Sequence, residues 1–383
     1  HGGALYTESW RVSLTEDSVV LNNVAETGDG GGLYSSSSTN LTLADVSFEE
    51  NKALGLNASF GTFGRGGAVA FSSAIEFSLE NVFIRNNKAI YGGGVYSPAD
   101  TAVVIRHSIL DSNVASLSGG GLYANASSSF KGFNSLVRNN SAVSENGGGM
   151  YMVTHEANGS SAALLSNLTL VDNRATAGAG GGIYRSGGVY VNVWNSSFWR
   201  NTGLEGGGLY LANGSSKFAN VSLISNYGVE YGGGLKVSGN ESLTMESSSL
   251  KLNRAGGSGG GMYVGSAVQV QGSNMLYSEN VASESLGGGG AVYAEDGSLV
   301  SSVGDLYESN QATQGSGGGL YVAGLSEVAC SSCVLKNNTA YLHGGALYTE
   351  SWRVSLTEDS VVLNNVAETG DGGGLYSSSS TNL

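Results

Sequence analysis

"GGGLYSSSSTNLTLADVSFEENKA" occupies residues 30–53. It opens on Gly-Gly-Gly-Leu-Tyr and closes on Phe-x-x-Asn-x-Ala, and both motifs return along the whole chain at intervals of about 28 residues. The aliphatic position after the glycines is always Leu, Val, Ile or Met, as at Leu5, Val95, Ile183 and Met262. The position after that is usually Tyr, but Ala70 and Lys236 also stand there. The Asn of the second motif falls at Asn23, Asn51, Asn87, Asn113, Asn140, Asn173, Asn201, Asn226, Asn253, Asn280, Asn310, Asn338 and Asn365. The two series keep step, so they belong to one repeating unit, and a repeat of this length points to a stacked architecture.

Aligning units backwards from that Asn exposes an apolar skeleton. Leu43, Val46 and Phe48 precede Asn51; Leu79, Val82 and Ile84 precede Asn87; Leu165, Leu168 and Leu170 precede Asn173. The last apolar pair is spaced by two, the period of a strand. The gap before it is three, which changes face unless the chain turns a corner there. The apolar-x-x-Asn step is a second corner, and the glycines make a third bend through positive φ or close backbone approach. The expectation is an all-β fold: one parallel, right-handed β-helix solenoid over residues 1–383, three short strands per rung. Triple glycines in every unit exclude a helical repeat. In such a stack, like residues lie above like, about 4.8 Å apart. The Asn column is expected at an inside corner as an amide ladder, and the Tyr column as an outer aromatic ladder.

Residues 343–383 repeat residues 1–41 without a single change, an offset of 342 residues that contains twelve short units. Twelve rungs would rise about 58 Å. The chain starts at His1 with no signal-peptide pattern, as expected of an internal fragment of a longer or processed protein.

Composition narrows the function classes. The 62 Gly, single Pro and 40 % hydrophobic residues fit neither collagen nor a disordered chain. A net charge of −14 argues against nucleic-acid partners. No apolar run is long enough to span a bilayer. Asn-x-Ser/Thr sequons begin at Asn40, Asn57, Asn125, Asn139, Asn158, Asn167, Asn195, Asn213, Asn220, Asn240 and Asn337. Their abundance points to a secreted glycoprotein with N-linked glycans.

The coupling of Gly-Gly-Ala-aliphatic (2–5, 66–69, 289–292, 344–347) with Phe-x-x-Asn (48–51, 198–201) resembles the repeat of chlamydial polymorphic outer-membrane proteins. That resemblance implies a β-helical, adhesin-like surface protein; the sequons suggest a eukaryotic, algal or protist relative.

Chemistry-bearing motifs are sparse. Acids such as Asp45, Glu80, Asp111, Asp172 and Asp305 fall in no common column, as a polysaccharide-cleaving site would require. His1, His107, His155 and His343 lack zinc-ligand spacing. No cofactor, metal or catalytic residue is expected. Cys330 and Cys333 of "CSSC" take the places of Leu43 and Val46, so both should point inward, either as two buried thiols or as a disulfide across one corner. The leading functional expectation is the shaft of an extracellular fibre or surface appendage, with copies of itself as partner. An adhesin or binding module using the Tyr stripe, or the loops inserted between Asn51 and Gly66 and between Tyr151 and Leu165, is the alternative, and a carbohydrate-active enzyme stands third.

Overall fold

A computed structural model describes residues 1–9, 11–36, 40–56, 64–125, 129–153, 162–188, 190–283 and 287–379. The sequons at Asn57 and Asn158, and His155, lie outside them. The chain is an all-β parallel solenoid of about 13 turns. Its rungs form two compact units: 1–192 with 201–203, and 193–200 with 204–383. Within each unit every strand pairs in parallel with its counterpart in the next turn, so strands stack in chain order.

Each turn contains four strands, where the sequence pattern led us to expect three. In one turn they are Val95–Ser97, Ala102–Arg106, Ile109–Asp111 and Val114–Ala115. The extra strand is the two-residue x-Ala segment that follows the Asn of the second corner. It is too short for alternation to show, having only one inward residue. That residue is Ala or Gly for a packing reason. A Cβ on Gly93 would lie 2.5 Å from the Val114 carbonyl carbon and 2.4 Å from the Gly120 oxygen. The glycine bend and the fourth strand therefore touch backbone to backbone, which leaves room beside them for a methyl group and little more. Ala115 and Ala142 fill it completely buried.

Three of the four bends in each turn have distinct chemistry. Two are built on a residue in the left-handed region just before an inward side chain. Asn81 (φ 53) and Asn134 (φ 48) precede the third strand, and Asn86 (φ 55) and Ser112 (φ 56) precede the fourth. Asn, Asp and Ser recur there because their short polar side chains tolerate that conformation. The third corner uses the first Gly of each triplet, as at Gly92 (φ 61). Inward residues form apolar columns: Phe77, Val103 and Phe130 share one register, and Ile84, Leu110 and Val137 another. Among the described residues no helix is long and apolar enough to cross a membrane.

Candidate functional site

The inner Asn column forms a continuous amide ladder within each unit. In the first unit it runs Asn23, Asn51, Asn87, Asn113, Asn140, Asn173, Asn201; in the second, Asn226, Asn253, Asn280, Asn310, Asn338, Asn365. Asn87 shows the full set. Its backbone N–H and its Nδ2 both donate to Asn113 Oδ1 at 3.0 Å, and Nδ2 also donates to the Phe48 carbonyl at 2.9 Å. Its own Oδ1 accepts from Asn51 N and Nδ2. Every amide atom at this corner is thus satisfied while fully buried, which makes the column structural.

The Tyr column points away from the core but is not an open stripe. Tyr96, Tyr123, Tyr151 and Tyr184 stack at centroid separations of 5.3, 4.6 and 5.2 Å. In the second unit Tyr263, Tyr293, Tyr321, Tyr348 and Tyr376 do the same. At four turns an aromatic residue before the glycines roofs the Tyr of the next turn: His1 covers Tyr34, Tyr91 meets Tyr123, Tyr231 meets Tyr263 and His343 covers Tyr376. Tyr34, Tyr96, Tyr263 and Tyr321 are only 7–8 % exposed. Burial, followed by the neighbouring Tyr184, pushes the Tyr151 phenol up to about 12.

Each break in this ladder carries a cation. Where Ala70 replaces Tyr, the Arg65 guanidinium lies 4.9 Å from the Tyr96 ring and reaches the buried Asp29 carboxylate at 2.6 Å. Where Lys236 replaces Tyr, its Nζ sits 5.0 Å from both Tyr231 and Tyr263 and 2.6 Å from Glu205 Oε1. The cation–π contact substitutes for ring stacking.

A polar cluster in the core of the second unit went unread in the sequence. Tyr277 and Tyr307 occupy the Phe48 position of consecutive turns and stack at 4.7 Å and 3°. Tyr307 Oη lies 2.7 Å from Ser302 Oγ. The buried Asp305 accepts from the Met275 backbone N–H at 2.9 Å, and its Oδ2 has no hydrogen-bond partner. Burial raises its pKa to about 6. Cys330 and Cys333 border this cluster as two buried thiols. A hydrogen bond donated to Cys333, followed by burial, pushes the Cys330 thiol up. The signal was the Tyr in "LYSEN" (276–280) and "LYESN" (306–310), at a position apolar elsewhere.

Of the described sequon asparagines, Asn40, Asn139, Asn167, Asn195, Asn213, Asn220, Asn240 and Asn337 are exposed and Asn125 is half-buried. Asn139, Asn167, Asn195, Asn213, Asn220 and Asn337 all have positive φ. At the two left-handed corners the sequon's middle residue is the inward one, and its Ser or Thr opens the next strand facing out, as in Asn167-Leu168-Thr169. The described residues bring together no cluster of three His, Cys, Asp or Glu side chains fit to hold a metal ion. No protein-family model, no curated protein and no solved structure matches this chain.

Proposed function

We propose that this chain is a structural, non-enzymatic shaft: one period of a tandem, right-handed β-solenoid in an extracellular, N-glycosylated fibre or surface appendage. The resemblance of its Gly-Gly-Ala and Phe-x-x-Asn motifs to chlamydial surface-protein repeats supports a cell-surface setting. The observation that carries the reading is what the repeated 41-residue segment does in its two copies.

In the first copy, Asn23 N and Nδ2 donate forward to Asn51 Oδ1 at 3.0 and 2.9 Å. In the second copy the same residue is Asn365. Its Oδ1 accepts from Asn338 N and Nδ2 at 2.8 and 3.0 Å, and its Nδ2 donates back to the Leu335 carbonyl at 2.8 Å. The forward half and the backward half together are the complete set made by an interior ladder residue such as Asn51. The strands behave alike. Leu5 pairs forward with Leu33, while Leu347 pairs with Leu320 behind it and Leu375 ahead. One segment therefore fits turns like 316–342 on one face and strands like Val46–Glu49, Lys52–Ala53 and Val69–Phe71 on the other, so successive periods can join without any new kind of contact.

Electron microscopy and fibre diffraction of the native full-length protein test this. Filaments with a regular axial repeat of about twelve 4.8 Å rungs are expected, with glycans along their length. Discrete particles lacking that repeat would refute the shaft.

A further inference from the structure

One sequon in the first unit borders a surface hollow. Along the corner before the third strand, exposed side chains link turn to turn. Asn167 Nδ2 donates to Asn134 Oδ1 at 2.9 Å, and Asn134 Nδ2 donates to His107 Nε2 at 3.1 Å. His107 Nδ1 then donates to Glu80 Oε1 at 2.8 Å. Asn167, Asn134 and His107 of this series line the rim of a shallow surface hollow of about 470 Å³. Its floor is apolar: Ile109 and Leu136, each half-buried, point outward from adjacent third strands in register with Thr169. An apolar floor with amide and imidazole groups at its edge suits a sugar ring, which has a C–H face and a hydroxyl perimeter. Asn167 and Thr169, the two ends of one sequon, line the same hollow.

We infer that Asn167 carries an N-linked oligosaccharide whose first N-acetylglucosamine lies in this hollow, against Ile109 and Leu136 and within reach of the Asn134–His107 rim. The inference rests on the extracellular reading above. In the transfer, Asn167 Nδ2 bonds to C1 of a pyrophosphate-activated oligosaccharide. The C1–O bond to the pyrophosphate breaks, and one Nδ2 proton is lost to the transferring enzyme. The N–H that remains can still donate to Asn134. Asn220, at the equivalent corner position in the second unit, is the internal control. In the third-strand register there, Ser197 stands in the turn before the sequon residue Ser222, so a hydroxyl takes the place that Leu136 holds before Thr169, and Ser249 in the following turn adds no apolar surface. A glycan on Asn220 has no apolar seat.

The test is made on the whole chain secreted from a glycosylating eukaryotic host. Glycopeptide mass spectrometry gives the occupancy of each sequon. An endoglycosidase cutting between the two core N-acetylglucosamines is then applied to the folded protein. Release from Asn167 should be about tenfold slower than from Asn220, or than from Asn139 if Asn220 is bare. Ile109→Ser with Leu136→Ser should abolish the difference, and Asn134→Ala should reduce it. If the double variant fails to fold, the wild-type comparison still decides. An unoccupied Asn167 beside occupied neighbours, or equal release rates, overturns the seat and leaves the extracellular reading standing. A chain with every sequon bare overturns both.

Discussion

At the scale of single residues, the buried corner amide is the most exacting position. Removing the Asn113 side chain strips the acceptor from Asn87 N and the donor from the Ile84 carbonyl, both out of reach of water, while Asn87 Nδ2 keeps the Phe48 and Arg85 carbonyls. Each orphaned buried group costs about 1–3 kcal/mol. Asn113→Ala should therefore lower unfolding free energy by at least about 2 kcal/mol, measured by guanidinium titration. Exposed Asn81→Ala at the neighbouring corner should cost about 1 kcal/mol or less. Equal losses would show that the ladder adds nothing beyond turn propensity. Asp305 gives a pH prediction. Its carboxyl is raised from 3.8 to about 6 by burial, so between those values the folded chain holds a proton that the unfolded chain releases. Stability from this group is full below about pH 4 and falls as pH rises to about 6, a loss on the order of 3 kcal/mol. Asp305→Asn keeps an oxygen for the Met275 amide and removes the titration. Its stability relative to wild type should rise from pH 4 to pH 6 and then level off. A difference that does not move with pH would refute the assignment.

At the scale of elements, the corners decide what can change. Gly120 has an ordinary backbone conformation, yet a Cβ there would lie 2.2 Å from the Gly148 oxygen and 2.5 Å from Ser141 N. Neither backbone atom can move without breaking a strand pairing, so Gly120→Ala should cost more than about 4 kcal/mol or prevent folding. Gly132, in the middle of a second strand, is the contrast. Its added Cβ would meet side chains alone, the Leu168 and Leu165 methyl groups at 3.2 and 3.3 Å and the Phe130 ring edge at 3.4 Å. Gly132→Ala should fall within about 1 kcal/mol of wild type, because lost chain entropy in the unfolded state offsets slight crowding. Comparable thermal midpoints for the two variants would refute the close-approach account. The same contrast explains what could be read from the sequence. Leu43, Val46, Phe48 and Asn51 recur with enough spacing to reveal two strands, two corners and the amide ladder. Lys52–Ala53 is also a strand, but its two residues carry no alternation, and the Ala is dictated by glycines more than 20 residues away in the chain. The roof over the Tyr ladder was illegible for a similar reason. His1 and Tyr91 act on the Tyr of the following turn, so the contact runs across the repeat rather than within it.

At the scale of the whole molecule, the identical segments allow a test in which chemistry is constant and only the neighbour changes. In residues 343–383, the Val366 and Glu368 amides donate back to the Asn338 and Ala340 carbonyls at 2.9 Å. Their counterparts in residues 1–41 are Val24 and Glu26. These identical amides gain such acceptors only when a turn of the 316–342 type precedes them. A chain holding the 342-residue period twice, followed by residues 343–383, places one further copy of the segment between two periods. Intrinsic exchange rates of the copies are the same, so any difference in protection reports pairing alone. Hydrogen exchange of the shared peptide should be bimodal. One copy in two should be protected in the present chain, and two copies in three in the concatenated one. The added protected copy should match Val366 and Glu368 in rate, because the interface it makes already exists there. If the interior copy exchanges as fast as Val24 and Glu26 do in the single chain, the segment does not splice successive periods, and a continuous shaft built from this repeat is ruled out.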